Sequence, residues 1–411
     1  MNRRFDTVVI GGGIVGSSAA YYLAKAGRQV VLVEKGRING EQSCRGLGVI
    51  GTQRRDPLEM ALMLDSLDIW RGLENELGDT VGWKEQGQVS LFSNDRRRRR
   101  SEAFMAVAKQ FGLTTQLLGP NEVLGLLPYP QPEGGLGALY TPADGSADQE
   151  LVATAFARAA ACHGAVIWEN SAAHSIDIWG EVVCGVDTER GRLGCQNIVV
   201  AAGCWTSFLL KPLGIAHPSL WVRGSVGRSP VLPYDLKFAV SCDEYAYLQG
   251  PDGRLNLAAV DATVHDLMLH SRPKLLRLHQ LKQKKIKLEL GKPMVRSLMG
   301  DFNDFVTHRT LDPAPHFKGL KRAAAAFNAD HPVIAPIQYE RSWAGYMDYT
   351  PDGLPIIEAV AEPKGLYVAA GFGRNGFGIA PAVGRSISEF ITMGATNRDL
   401  SPFSSQRFRH V

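Results

Sequence analysis

The chain has 411 residues, 45% of them hydrophobic and 21% charged, enough for two modest domains or one two-lobed domain. That balance excludes a disordered tail or a small disulfide-stapled module, and a net charge of +4 is too slight to indicate nucleic-acid binding. The unusual count is glycine, 44 in all and without a Gly-X-Y period, so the backbone is expected to turn tightly or approach a ligand closely.

Residues 5–10, FDTVVI, read as a short apolar strand of the kind buried on both faces of a parallel sheet. Arg3, Arg4 and the apolar stretch after them imitate a signal peptide, but Asp6 and three consecutive glycines break the pattern. Gly11-Gly12-Gly13-Ile14-Val15-Gly16 follows the strand, then SSAAYYLAKAG, a helix expected to end at Gly27. A second strand, QVVLVE, closes on Glu34, 18 residues after Gly16. Strand, glycines, helix, strand and terminal acid together form a dinucleotide fingerprint. Gly11 permits the turn, Gly13 lets a pyrophosphate meet backbone N–H groups and the positive helix end, and Gly16 allows close helix–strand packing. Glu34 suits ribose hydroxyls. The irregular glycine-bearing segment Gln42–Gly48 then replaces the next helix of a simple NAD domain, which favours FAD lying stretched.

Residues 81–92 and 244–260 alternate in hydrophobicity around Gly-containing turns and are expected to be strands of an antiparallel sheet. Tyr245 and Tyr247, two apart, share one face of that sheet. The unbroken run Arg96–Arg100 and the seven lysines and arginines of 272–288 are read as solvated faces. Apolar residues at Leu275, Leu276, Leu278, Leu281, Ile286, Leu288 and Leu290 give the second run an imperfect helical stripe, suited to packing on its own lobe or docking another subunit. Six scattered cysteines and no H-E-x-x-H suggest buried thiols in a reducing compartment and no metal site. With no long apolar window, a cytoplasmic location is expected, leaving room for peripheral membrane association through a basic amphipathic face.

Near the end, GLYVAAG reads as a strand, Gly371, Gly373, Gly376 and Gly378 crowd into eight residues, and a helix is expected from about Pro381. Four glycines between a strand and a helix N-terminus make a second cradle for phosphate or a ring system.

With these blocks in place the sequence resembles the D-amino-acid oxidase/glycine oxidase superfamily of FAD-dependent amine oxidoreductases across nearly the whole chain. The resemblance rests on Gly11–Glu34 with Ser43–Gly48, residues 143–170, NIVVAAGCW at 197–205, RSWAGYMDYTPDGLPII at 341–357 and the block 365–391. It implies a discontinuous Rossmann-like α/β FAD-binding domain with a mixed sheet (1–80, 145–215, 335–411). It also implies a substrate domain on an antiparallel β-sheet (81–144, 216–334), carrying a basic insertion at about 262–310. It places Lys35, Ser43, Cys44, Arg45, Gly48, Ala173, Ala202, Gly203, Trp205 and Gly345 at the cofactor, and with them Gly373, Arg374, Asn375, Gly376, Phe377 and Gly378. Arg374 would stabilise the reduced ring, and Tyr245 or Tyr247 would touch substrate. Arg223 is a further candidate carboxylate contact.

Two departures bear on the chemistry. Trp343 stands where some relatives attach FAD through cysteine, so non-covalent FAD is expected. Met347 stands where glycine oxidase carries the arginine that anchors the substrate carboxylate. The implied activity is oxidation of the C–N bond of an amino acid or N-substituted amino acid by hydride transfer to flavin N5, giving an imine that hydrolyses. Residues 51–78 look like the catalytic subunits of opine and hydroxyproline dehydrogenases, which work with other subunits. An oxygen-using oxidase is the alternative, and a non-catalytic flavin-holding subunit a more distant one.

Overall fold

A computed structural model describes residues 3–92, 94–127, 135–266, 286–289, 308–334 and 336–408. The expected dinucleotide sheet is present, in the order Ile356–Ala359, Leu366–Ala370, Asn197–Val200, Thr7–Ile10, Val30–Val33, Val166–Trp168. All pairings are parallel except the first, which makes the sheet mixed. Its strands are apolar on both faces because both are covered. Val9, Val30 and Leu32 join a core with helix α1 (Ile14–Lys25) and the helices Val152–Cys162 and Gly376–Met393. Val8, Ile10, Val31 and Val33 belong to the opposite core, with Ile176, Val183, Val186 and Leu193 of a small four-stranded sheet. Each fully buried aliphatic side chain contributes about 1.5–3 kcal/mol.

Small residues let α1 approach the C-terminal helix closely: Ser18 Oγ donates to the Ala380 carbonyl at 3.1 Å, and a side chain at Gly384 would overlap Ser18. Helix α2 (Pro57–Leu77) begins with Asp56 accepting from the Leu58 N–H at 3.0 Å and ends at left-handed Gly78. The C-terminal helix starts at Gly376, five residues before the expected Pro381, which lies inside it. Its N-terminus therefore opens within the glycine loop.

The second lobe is a ten-stranded sheet whose long strand Leu220–Val231 pairs antiparallel with Arg254–Ala259 and with Arg341–Tyr349. The sheet continues through Tyr245–Gln249, Ala239–Ser241, Gln88–Phe92, Gly137–Thr141 and Gln116–Leu118. It is antiparallel in most pairings, with Gln88–Ser90 running parallel to Ala239–Ser241. Two boundaries differ from expectation. Within 81–92 the strand covers only Gln88–Phe92, and Arg341–Tyr349 completes this sheet although 335–411 was expected in the cofactor lobe. Of the basic insertion, Val264–Asp266 and Lys287–Glu289 add edge strands, while the expected basic helix falls on 267–285, outside the described residues.

Candidate active site

The first cradle is built by backbone. Strand Thr7–Ile10 turns at Gly11, whose φ of +109° suits only glycine, and a Cβ there would overlap the Ala201 carbonyl. One helical turn on, a side chain at Gly16 would overlap the Gly11 carbonyl oxygen. At the α1 N-terminus Gly13 offers no side-chain cap; instead the Ile14 N–H donates to Ser43 Oγ at 3.0 Å. The Glu34 carboxylate accepts from the Gly12 and Gly36 N–H groups, each at 2.7 Å, which fixes it at the end of its strand. Burial pushes its pKa up, and those two bonds oppose the shift. Lys35 pairs with Glu41 at 2.5 Å and lies 4.7 Å from the centre of the Trp205 ring, whose Nε1 donates to Glu41 Oε2 at 3.1 Å.

The second cradle follows strand Leu366–Ala370, turning at Gly371 and Gly373, both left-handed. The Gly371 N–H donates to Asp348 Oδ2 at 2.9 Å and the Gly373 N–H to the Asp348 carbonyl at 2.8 Å. Gln42 Nε2 donates to the Gly373 carbonyl at 2.8 Å, which ties the segment after the first cradle to the second. Arg55, buried, donates to the Asn375 carbonyl at 3.2 Å. Arg374 Nε donates to the Tyr349 hydroxyl at 3.0 Å.

Both cradles open into one cavity of about 1480 Å³, larger than the usual pocket for a small ligand. All the cofactor residues expected from sequence line it except Gly16, Cys44, Gly371 and Gly378. Gly16 packs helix on strand, as anticipated. Cys44 turns its thiol to the Glu41 carbonyl, and the Gly378 carbonyl accepts from Ser66 Oγ and Trp70 Nε1 of α2. Gly224, Val226, Ala246 and Ala258 of the large sheet supply a roof of small side chains.

The expected substrate contacts fare less well. Tyr245 and Tyr247 do share a sheet face, but it is the face away from the cavity: both pack on Phe327 and His331, and Tyr245 donates to Asp330 at 2.7 Å. Ala246 between them faces the cavity, as the period of a strand requires. Arg223 is not on the wall either; it bonds Asp266 and Glu289, each at 3.0 Å, and so ties the edge strands together. Met347 does line the cavity. The solvated-face reading of Arg96–Arg100 holds for Arg96, Arg98, Arg99 and Arg100, which are exposed, although Arg96 and Arg100 also border the cavity; Arg97 is the exception, only 6% exposed.

Sequence reasoning passed over Gln42, Arg54 and Arg97. A helical wheel on 95–110 would have put Arg97 with Ser101, Phe104 and Ala108 on the buried stripe.

Two glycine cradles opening into one large cavity define a flavin-type dinucleotide enzyme. The chain belongs to the DAO family of FAD-dependent oxidoreductases, which it matches over residues 6–390. FAD is the cofactor of that family, and the residues here fit it: Gly13, where an added Cβ would meet only Ser43 Oγ and so stand in the cradle, two helix N-termini, and an acid at the ribose position. The chain is 28% identical to glycine oxidase from Geobacillus kaustophilus, over 99% of this chain and 98% of that protein. It is 25% identical to mitochondrial sarcosine dehydrogenase from Homo sapiens, over 98% of this chain but only 41% of that protein. Its fold superposes on L-amino acid deaminase from Proteus myxofaciens in complex with anthranilate with a TM-score of 0.92 at 24% identity, covering 100% and 94% of the two chains.

Proposed function

We propose that the protein oxidises the C–N bond of an amino acid or N-substituted amino acid. The observation that carries this reading is the chamber where the glycine cradles meet the small-residue roof, with Arg374 held on Tyr349 where the two meet. Bound FAD supplies the two-electron acceptor that converts the C–N bond to an imine, which water then hydrolyses. Glycine oxidase and the sarcosine and dimethylglycine dehydrogenases among the relatives support this class of substrate.

The chain's residues do the holding. The N–H groups at the start of α1, with Ser43, receive the pyrophosphate, and Glu34 receives ribose hydroxyls. The start of the C-terminal helix and Arg374 lie at the cofactor's far edge and stabilise negative charge there. Ala246, Ala258 and Gly224 leave room for a flat substrate under the roof. The cavity's guanidinium groups disfavour a second positive charge and so keep the substrate nitrogen unprotonated, with its lone pair available. Positioning and electrostatics therefore carry the reaction, without an acid–base dyad.

Trp343 donates to the Arg45 carbonyl at 3.1 Å, and FAD is held without a covalent bond. The six free cysteines suit the reducing cytoplasm, and no helix among the described residues is long and apolar enough to cross a membrane. Electrons pass onward to a partner subunit of a dehydrogenase assembly, the role suggested by residues 51–78, or to oxygen. Anaerobic titration with amino acids, N-methyl amino acids and imino acids tests the proposal: one class should bleach the flavin stoichiometrically. A yellow protein that none of them reduces overturns it. Stoichiometric peroxide in air would remove the partner-subunit route.

A further inference from the structure

The charge on the cavity wall is uneven. Arg54, Arg97, Arg100 and Arg374 all line it. Arg54 Nη2 reaches Ser90 Oγ at 3.2 Å and Ser241 Oγ at 3.3 Å, and Arg97 Nη2 donates to the same Ser241 hydroxyl at 3.4 Å. Arg97 and Arg100 lie three residues apart, on one face of helix α3 (Asp95–Gln110). Against these guanidiniums stands Asp243, which Arg97 meets at 3.3 Å. The other nearby wall acids are engaged elsewhere: Glu59 with Arg55, Asp261 with Arg322, Asp352 with Arg407, and Asp56 with the Leu58 N–H at the start of α2. Among the described residues, Arg54, Arg100 and Arg374 have no carboxylate partner.

Two features show that this end is built and not incidental. Arg97 is buried and its Nε has no hydrogen-bond partner. Arg54 takes a left-handed backbone, φ +57°, at a cost of about 1 kcal/mol for a residue with a side chain. Arg54 is exposed through the cavity, yet desolvation by the surrounding chain, and then the guanidiniums of Arg97, Arg374 and Arg100, push its pKa down to about 10 against the opposing pull of Asp243, and it remains a cation at neutral pH. A cluster of like charges in a partly enclosed space is costly unless a ligand brings the opposite charge.

With Arg374 committed to the cofactor edge and Asp243 answering Arg97, Arg54 and Arg100 still await anions. One carboxylate would leave a positive charge uncompensated; two would balance it. We propose that the substrate is an amine carrying at least two carboxylates, and that Arg54, Arg97 and Arg100, left with two positive charges once Asp243 is counted, bind those carboxylates. This rests on the oxidoreductase reading above and names the substrate class of the same cavity. It also replaces the carboxylate anchor that Met347 lacks.

The test uses holoenzyme and two readouts. Inert glutarate and butyrate are titrated against the flavin absorbance, and iminodiacetate and sarcosine are compared as reductants under anaerobic conditions. Glutarate should bind at least 10-fold tighter than butyrate, with an affinity that falls steeply with salt. Arg54→Met should erase that margin and raise the KM of the dicarboxylic amine roughly 30-fold while changing kcat less than threefold. Arg100→Met, on a helix face where folding is not at stake, should cut the glutarate margin severalfold. Equal binding of the two acids, or an equal loss for both in Arg54→Met, overturns the proposal. If glutarate binds as expected but no amine reduces the flavin, the two-anion site stands and the oxidoreductase reading falls.

Discussion

The floor and the arginine end of the cavity grip their ligands by different means. The floor uses backbone: Gly11, Gly371 and Gly373 make the tight turns that shape the cradles, and Gly13 leaves the start of α1 without a side chain. The arginine end uses side chains gathered from distant segments, with Arg54 and Arg97 meeting on one serine hydroxyl from Ala239–Ser241. A backbone grip suits a ligand shared across a family, since it needs only glycine spacing. A side-chain grip is specific, and any one residue can change it without disturbing the fold.

The sharpest way to break this contrast is Gly16→Val, which would drive a side chain into the Gly11 carbonyl. We expect FAD affinity to fall more than about 100-fold, read as flavin absorbance per protein after gel filtration. A variant that stays yellow would show the floor to be tolerant after all.

Next is Asp144, which accepts from the Thr52 N–H at 2.9 Å and hydroxyl at 2.8 Å. Burial pushes its pKa from 3.8 up to about 6. The native state thus holds this proton more tightly than the unfolded chain, so the stability contributed is full below pH 4 and lost as pH rises through 6. The loss is about 3 kcal/mol at most. Denaturant midpoints measured from pH 4 to 7 should decline more for the parent than for Asp144→Asn; parallel curves would refute this.

Arg374→Met should lower kcat by about 10–50-fold, roughly 2 kcal/mol, with FAD content unchanged. Loss of FAD together with kcat would instead make Arg374 part of the floor's grip. The smallest effect is expected for Tyr245→Phe, which removes the hydrogen bond to Asp330 behind the roof. It should cost about 1 kcal/mol of stability and move KM less than twofold. A larger KM change would return Tyr245 to the substrate side.

How legible each region was in the sequence follows from these two kinds of grip. The strands Thr7–Ile10, Val30–Val33, Asn197–Val200 and Leu366–Ala370 and both cradles could be read because strand, glycine and helix are contiguous there. The roof was recognised as strands but mis-assigned in detail: the period of 2 put Tyr245 and Tyr247 on a common face without saying which layer covers it. That answer came from helix Phe317–Asp330, seventy residues on. Arg97 was hidden in a charge run whose composition argues for solvent. The helical period of 95–110 marks it as inward-facing, but its partners Ser241 and Asp243 lie about 145 residues away, where no local pattern reaches.

Asp348 belongs to the roof by its backbone and to the floor by its bonds. Its strand pairs with Leu220–Val231, while its carboxylate and carbonyl hold the Gly371 and Gly373 N–H groups and His217 braces the same carboxylate at 3.0 Å. For anyone re-engineering the enzyme this sets a practical rule. Enlarging the chamber by shifting that strand would drag the flavin loop with it, whereas trimming Met347, its neighbour on the wall, would add volume and leave the cofactor where it is.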